Sequence, residues 1–224
     1  MKLSSGLEQR LRELMRVFLA ENEKLNLSAL RTEERCWVGN ILDSLALFDA
    51  MPDSPIGFRL LDLGTGGGFP LLPIAIARAD LQCTGLDAVA KKVRAVERIV
   101  GQLGLQNVKL VIGRSEELGH DPHHRERYAA VTSRAVAPLP ILIEYASSFV
   151  KVGGTMVMWK SLHIDEELEG AKNAMKELHC ELVRNYEYEL PDDFGKRQLL
   201  IFAKTAATPK QYPRAVGMAK KKPL

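Results

Sequence analysis

Three features of the sequence predict an α/β fold: strands alternate with helices, a glycine-rich turn follows the first of those strands, and two strands stand side by side at the end. The sheet should be mostly parallel and covered by helices on both faces, with an antiparallel strand in a hairpin at one edge. The 224 residues suit one large domain or a domain with an appendage. Their 46% hydrophobic and 26% charged content allows a core of useful size.

Residues 7–24 carry Leu7, Leu11, Leu14, Met15, Phe18 and Leu19 on one helical face, with Ser4 or Ser5 as the cap. A second helix is expected over 33–50, with Trp37, Ile41, Leu45 and Phe48 inward. The Pro/Gly-rich stretch "MPDSPIG" (51–57) marks a break. A strand over 56–63 leads through the glycines into a helix ending near Arg78. Strand 81–87, helix 89–104 and strand 108–113 follow, then a short polar segment. Strand 128–133, helix 138–150, strand 153–160 and helix 165–178 continue the alternation. Residues 181–190 and 198–204 are the closing strands, with no helix between them. The chain thus divides into an N-terminal helical unit (1–55), an α/β domain (56–205) and a C-terminal tail (206–224).

The net charge is only +3, and its distribution is uneven. Lys210, Arg214, Lys220, Lys221 and Lys222 crowd into residues 205–224, which carry no acid, so residues 1–204 sum to −2. Such a tail can meet phosphates, or serve as a solvated extension. Three widely spaced cysteines (Cys36, Cys83, Cys180), without a C-x-x-C, argue against a disulfide framework or a zinc site. No metal is expected, and a reducing cytoplasm is the simplest compartment. No stretch reads as a leader or a membrane span.

The turn reads "LLDLGTGGGFP" (60–70). Glycines here let a ligand touch the backbone. A dinucleotide loop of the G-x-G-x-x-G kind would place its third glycine at 69, where Phe69 stands. Asp62, one spacer, then Gly64-x-Gly66-x-Gly68 resembles instead the S-adenosylmethionine loop of class I methyltransferases, whose outline the alternation also fits. That ligand has no pyrophosphate to cradle, and its ammonium favours an acid nearby. Asp87, 23 residues after Gly64, can accept from ribose hydroxyls or cap the next helix. "GRSEEL" (113–118) follows the third strand, where such folds contact adenine. No Tyr-x-x-x-Lys and no P-loop lysine is present to support rival chemistry.

Acceptor chemistry in this class lies after the fourth strand, here "SRAVAPLP" (133–140). The stretch lacks the Asp/Asn-Pro-Pro-aromatic motif of amino-directed enzymes, and no cysteine nucleophile lies near it. A ring nitrogen with a free lone pair, such as guanine N7, needs neither device; alignment supplies most of the rate.

"NLSAL" (26–30), "ILDSL" (41–45), "DLGTGGGFPLLPIAIA" (62–77), "LDAVAKKVRAVE" (86–97), "GRSEEL", "VTSRAVAPL" (131–139), "WK" (159–160) and the terminal "YPRAVG" and "KKPL" together resemble one family. It is that of the bacterial small-subunit ribosomal RNA guanine-N7 methyltransferases, or glucose-inhibited division protein B. The resemblance implies cofactor contacts at Gly64, Phe69, Ser115, Glu116 and Arg134. It implies an acceptor face with Asn26, Arg134 and Lys160, and a tail whose Tyr212 and Arg214 meet RNA. It implies a 16S rRNA substrate within an assembled or assembling small subunit. The family usually has histidine where Asn40 stands and glycine where Ser161 stands. Removing residues 209–224 is expected to weaken RNA binding and spare the cofactor. Methylation of another RNA, or a non-catalytic RNA-binding assembly factor on the same fold, are the competing readings.

Overall fold

The computed structural model describes residues 3–51 and 59–224, so the expected break at 51–57 and strand start at 56 lie largely outside the described residues. The elements in chain order are helices α1 (Ser5–Leu25) and α2 (Glu33–Cys36), a π-helical segment (Trp37–Leu42) and α3 (Asp43–Ala50), followed by β1 (Arg59–Leu63) and α4 (Leu71–Ala77). Then come β2 (Gln82–Asp87), α5 (Ala90–Gln102), β3 (Val108–Ile112), α6 (Ser115–Leu118), β4 (Tyr128–Arg134) and α7 (Leu139–Ser147). The chain closes with β5 (Val150–Lys160), α8 (Asp165–Glu177), β6 (Cys180–Leu190), β7 (Gly195–Lys204) and α9 (Met218–Lys221).

The seven strands form one sheet in the order β3-β2-β1-β4-β5-β7-β6. Among the described strands β7 alone is antiparallel to the rest, running against β5 and β6. Each crossover reverses direction at β1/β4, the switch point at which open sheets leave a crevice beyond their strand ends.

Alternation along the strands feeds two cores. Leu60 faces one, which α1, α3, α4 and α5 cover. Leu61 and Leu63 face the other, under α7 and α8. Helix α1 is capped by the Ser4 hydroxyl, which accepts from the Leu7 N–H. It buries Leu11, Leu14, Met15 and Phe18, roughly 2 kcal/mol each. Glu21, buried on the same helix, takes two hydrogen bonds from Arg98 of α5, and that guanidinium lowers its pKa. The N-terminal helices therefore share a core with the α/β domain.

The helix expected over 33–50 forms with its middle turns widened to π geometry, as occurs at functional sites. The polar segment after β3 contains the short α6, and β5 and β7 begin three residues earlier than expected. The tail departs most. Thr208, Tyr212 and Ala219 are buried, and Tyr212 joins the core under α7.

Candidate functional site

A cleft of about 570 Å³ opens at the carboxyl ends of β1, β2, β3 and β4. The glycine loop forms its floor. Gly66 has φ +57°, and a Cβ there would meet only the Gly64 carbonyl, at 3.8 Å; any side chain would project into the cleft. Gly64 has a different reason to be glycine: a Cβ would lie 2.4 Å from Val136.

The loop uses its own donors. The N–H groups of Gly64 and Thr65 bond to the Leu86 carbonyl, that of Gly68 to the Thr65 carbonyl, and that of Gly66 to Asp87 Oδ2 at 3.0 Å. Asp87 Oδ1 accepts from the Val89 N–H at 2.8 Å. Asp87 is thus both readings at once, a cap for the next segment and a cleft-lining carboxylate. It also ties the loop after β1 to the loop after β2.

Asp62 is fully buried beneath the loop. Its Oδ1 accepts from the Thr132 hydroxyl at 2.9 Å, while its Oδ2 and the buried Thr65 hydroxyl have no hydrogen-bond partner. Desolvation pushes its pKa up to about 6; the Thr132 hydroxyl and the charge of Arg134 oppose this only in part. Orphaned acceptors of this kind call for a donor.

Phe69 lines the cleft, set edge-on to Phe18 at 4.7 Å. Ser115 and Glu116 line its far end. Glu116 Oε1 accepts from the Tyr145 hydroxyl at 2.9 Å and from the Gly217 N–H at 3.1 Å. Burial and that facing carboxylate push the Tyr145 phenol up, which keeps it a donor.

Arg134, at the end of β4, is clamped by the π-helical turn. Its Nη1 donates to the Gly39 carbonyl at 2.9 Å and to Asp43 Oδ2 at 2.7 Å; its Nη2 donates to Asn40 Oδ1 at 2.9 Å. Asn40 therefore supplies an acceptor that a histidine ring nitrogen could equally supply. Asp43 was not among the expected site residues, though its signal was present: one acid inside the apolar run "ILDSL". It also accepts from Tyr188 at Oδ1, and its carbonyl accepts from Trp159 Nε1.

Beyond Arg134 lies a second cavity of about 480 Å³, lined by Asn40, Asp43, Leu142, Trp159, Lys160 and Arg197 among others. The two cavities share Asn40, Arg134, Ala135 and Ala137. Lys160 lines the second cavity while its ammonium bonds to Glu167 at 2.7 Å and to the Ala137 carbonyl at 3.1 Å. Ser161 accepts from Gln198 through its carbonyl, which any residue offers.

Three expected acceptor-face residues sit elsewhere. Asn26 is the left-handed C-cap of α1, exposed, with Oδ1 accepting from Arg31; its neighbours Leu27 and Ser28 line the cleft instead. Tyr212 is buried, so its ring is not offered for stacking on a base. Arg214 is locked to buried Glu144 through its N–H, Nε and Nη2, so its charge is spent inside the protein. Among the described residues no cluster of His, Cys, Asp or Glu could hold a metal ion, and no helix is long and apolar enough to cross a membrane.

The strand order, the cleft at the switch point and its acid-flanked glycine loop define a class I methyltransferase. Solved structures show the same fold: YcgJ from Bacillus subtilis superposes with a TM-score of 0.55 at 16% identity, over 73% of this chain and 99% of that one. The geranyl diphosphate C-methyltransferase of Streptomyces coelicolor gives 0.54 at 15% identity, over 73% and 79%. Residues 7–190 match the family model described as GidB, rRNA small subunit methyltransferase G. The chain is 37% identical to the ribosomal RNA small subunit methyltransferase G of Lactobacillus delbrueckii over 100% of this chain and 94% of that one. It is 39% identical to the protein of that name from Deinococcus radiodurans, over 97% and 85%. The chain belongs to the rRNA small subunit methyltransferase G family.

Proposed function

We propose that this chain transfers a methyl group from S-adenosylmethionine to guanine N7 of small-subunit (16S) ribosomal RNA. The observation that carries the reading is the meeting of two cavities at Arg134, one floored by the glycine loop and flanked by Asp87, the other opening beside it. Four of the loop's N–H groups are consumed inside the protein. The loop therefore withholds the backbone donors with which such a turn would cradle a pyrophosphate.

S-adenosylmethionine, when bound, supplies a methyl group made electrophilic by its sulfonium. Gly66 gives it room, and Asp87 accepts from ribose. Ser115 and Glu116 face the adenine, and the Asp62 carboxylate under the loop attracts the ammonium. Gly64, Gly68 and Phe69 shape the floor. Among the described residues the single carboxylate that lines the second cavity, Asp43, is engaged by Arg134 and Tyr188. Guanine N7 carries no proton, so no base is required; the chain's task is to align the base and exclude water. Asp43 compensates the Arg134 charge where positive charge would build on the purine. Lys160 walls the second cavity with its charge taken by Glu167, while Arg197 and the exposed Lys222 suit RNA phosphates. This reading places the protein in the cytoplasm, on an assembled or assembling particle.

The test is transfer of label from radioactive S-adenosylmethionine to unmodified small subunits, naked rRNA and a nucleotide control, with mapping of the labelled base. Label on one N7-methylguanine is the expected result. Saturable cofactor binding with label elsewhere would replace the acceptor. Gly66→Val should abolish cofactor binding; unchanged affinity would falsify the loop's role.

A further inference from the structure

We infer that the C-terminal arm, residues 206–224, is a wall of the cofactor cleft, and that Lys220 donates to the nucleoside end of S-adenosylmethionine. The inference rests on the cofactor reading above.

The arm is fixed before it reaches the cleft. The Thr208 hydroxyl donates to the Ser147 carbonyl at 2.8 Å, and Arg125 donates to the carbonyls of Thr208 and Tyr212, both at 2.8 Å. Tyr212 is buried, and Arg214 grips Glu144. The chain then turns at Gly217, with φ +82°, and its N–H reaches Glu116. Ala219 is buried next, and Lys220, three residues from the Gly217 that bonds Glu116, lines the same cleft as Arg114, Ser115, Glu116 and Tyr145.

The sheet order says which part of the ligand lies there. Moving outward from β1 to β2 to β3, an elongated ligand meets the glycine loop, then Asp87, then residues 113–116. The last position is the nucleoside base. An ammonium offers three donors and no acceptor, and purine ring nitrogens and ribose oxygens are acceptors. The cofactor's own ammonium, at the other end, would repel it. The arm's cations are thus divided, with Lys220 on the cleft and Lys221 and Lys222 exposed to solvent. Removing the arm would not spare the cofactor, contrary to the expectation from sequence.

The experiment is calorimetric titration of the full chain, Lys220→Met, Lys221→Met and a deletion of 217–224 that keeps Tyr212 and Arg214. The probes are S-adenosylhomocysteine and 5′-methylthioadenosine, which lacks the amino-acid end. Lys220→Met should weaken both probes by the same factor, about fivefold, the worth of one net hydrogen bond. The deletion should weaken both by at least about tenfold, since Glu116 also loses its Gly217 donor. Lys221→Met should match the full chain, and Lys220→Met should keep the parent melting temperature. Undiminished binding by Lys220→Met and the deletion would overturn the inference and leave the cofactor reading standing. A loss confined to S-adenosylhomocysteine would overturn the nucleoside placement. A full chain that binds neither probe would overturn the cofactor reading itself.

Discussion

The cleft has two flanks that are fastened by different forces. On one side, α1 and the helical segment 33–50 are held mainly by apolar burial, with Phe18, Leu14 and Ile41 fully enclosed. On the other, the C-terminal arm is held mainly by charge: Arg214 on Glu144, Arg125 on three arm carbonyls, and the Thr208 N–H on Glu126. Apolar contacts carry no charge for salt to screen or pH to titrate. Ion pairs partly open to water weaken in salt. The first flank should therefore come apart only with the whole fold, whereas the second can release locally.

The largest effect should come from the apolar flank. Phe18→Ala removes a fully buried ring that packs against Phe69 and should cost about 4 kcal/mol of global stability, read by urea unfolding. A loss below about 1 kcal/mol would mean that α1 is not part of the common core. Between the flanks, Asp62 offers a pH test. Its folded pKa is raised by burial to about 6, so its contribution to stability is full below its unfolded pKa and is lost as pH rises through about 6. Asp62→Asn should therefore gain up to about 3 kcal/mol over the parent at pH 8 and nothing near pH 4. Cofactor affinity of the parent should rise with pH across the same range, because the carboxylate attracts an ammonium; in Asp62→Asn it should be flat.

On the charged flank, Glu144→Ala should cost about 2 kcal/mol, because Arg214 can turn to water once released. Its signature is local: amide exchange should quicken across 206–224 while α1 keeps its protection. Uniform quickening would show that the two flanks do not differ. The smallest effect is expected at the Arg134 clamp. Asn40→Ala removes one of three acceptors and should cost about 1 kcal/mol, and Asn40→His should recover most of it.

The α/β order, the glycine loop, Asp87 and the edge hairpin were legible in the sequence because each rests on local patterns: period, turn chemistry and spacing. Arg134 was legible as a residue of interest, but not its partners. That Arg134 would be clamped by Gly39, Asn40 and Asp43 depends on a π-helical turn meeting the end of a strand more than ninety residues away. The arm was the least legible. Its five cations suggested a tail that meets RNA phosphates or stays solvated, and nothing local shows that Tyr212 has a core to enter or that Glu144 awaits Arg214. Burial of that kind is decided by the partner surface, here α7, which lies seventy residues earlier.

Arg134 stands as a party wall between the two chambers. Because both rooms share that guanidinium and the turn that clamps it, neither can be refurnished alone. A substitution in the π-helical turn meant to alter acceptor choice also moves a wall of the cofactor's room. A small molecule built to fill both chambers would have to negotiate one side chain, already committed to three acceptors, and its affinity would report how firmly that partition is mortared.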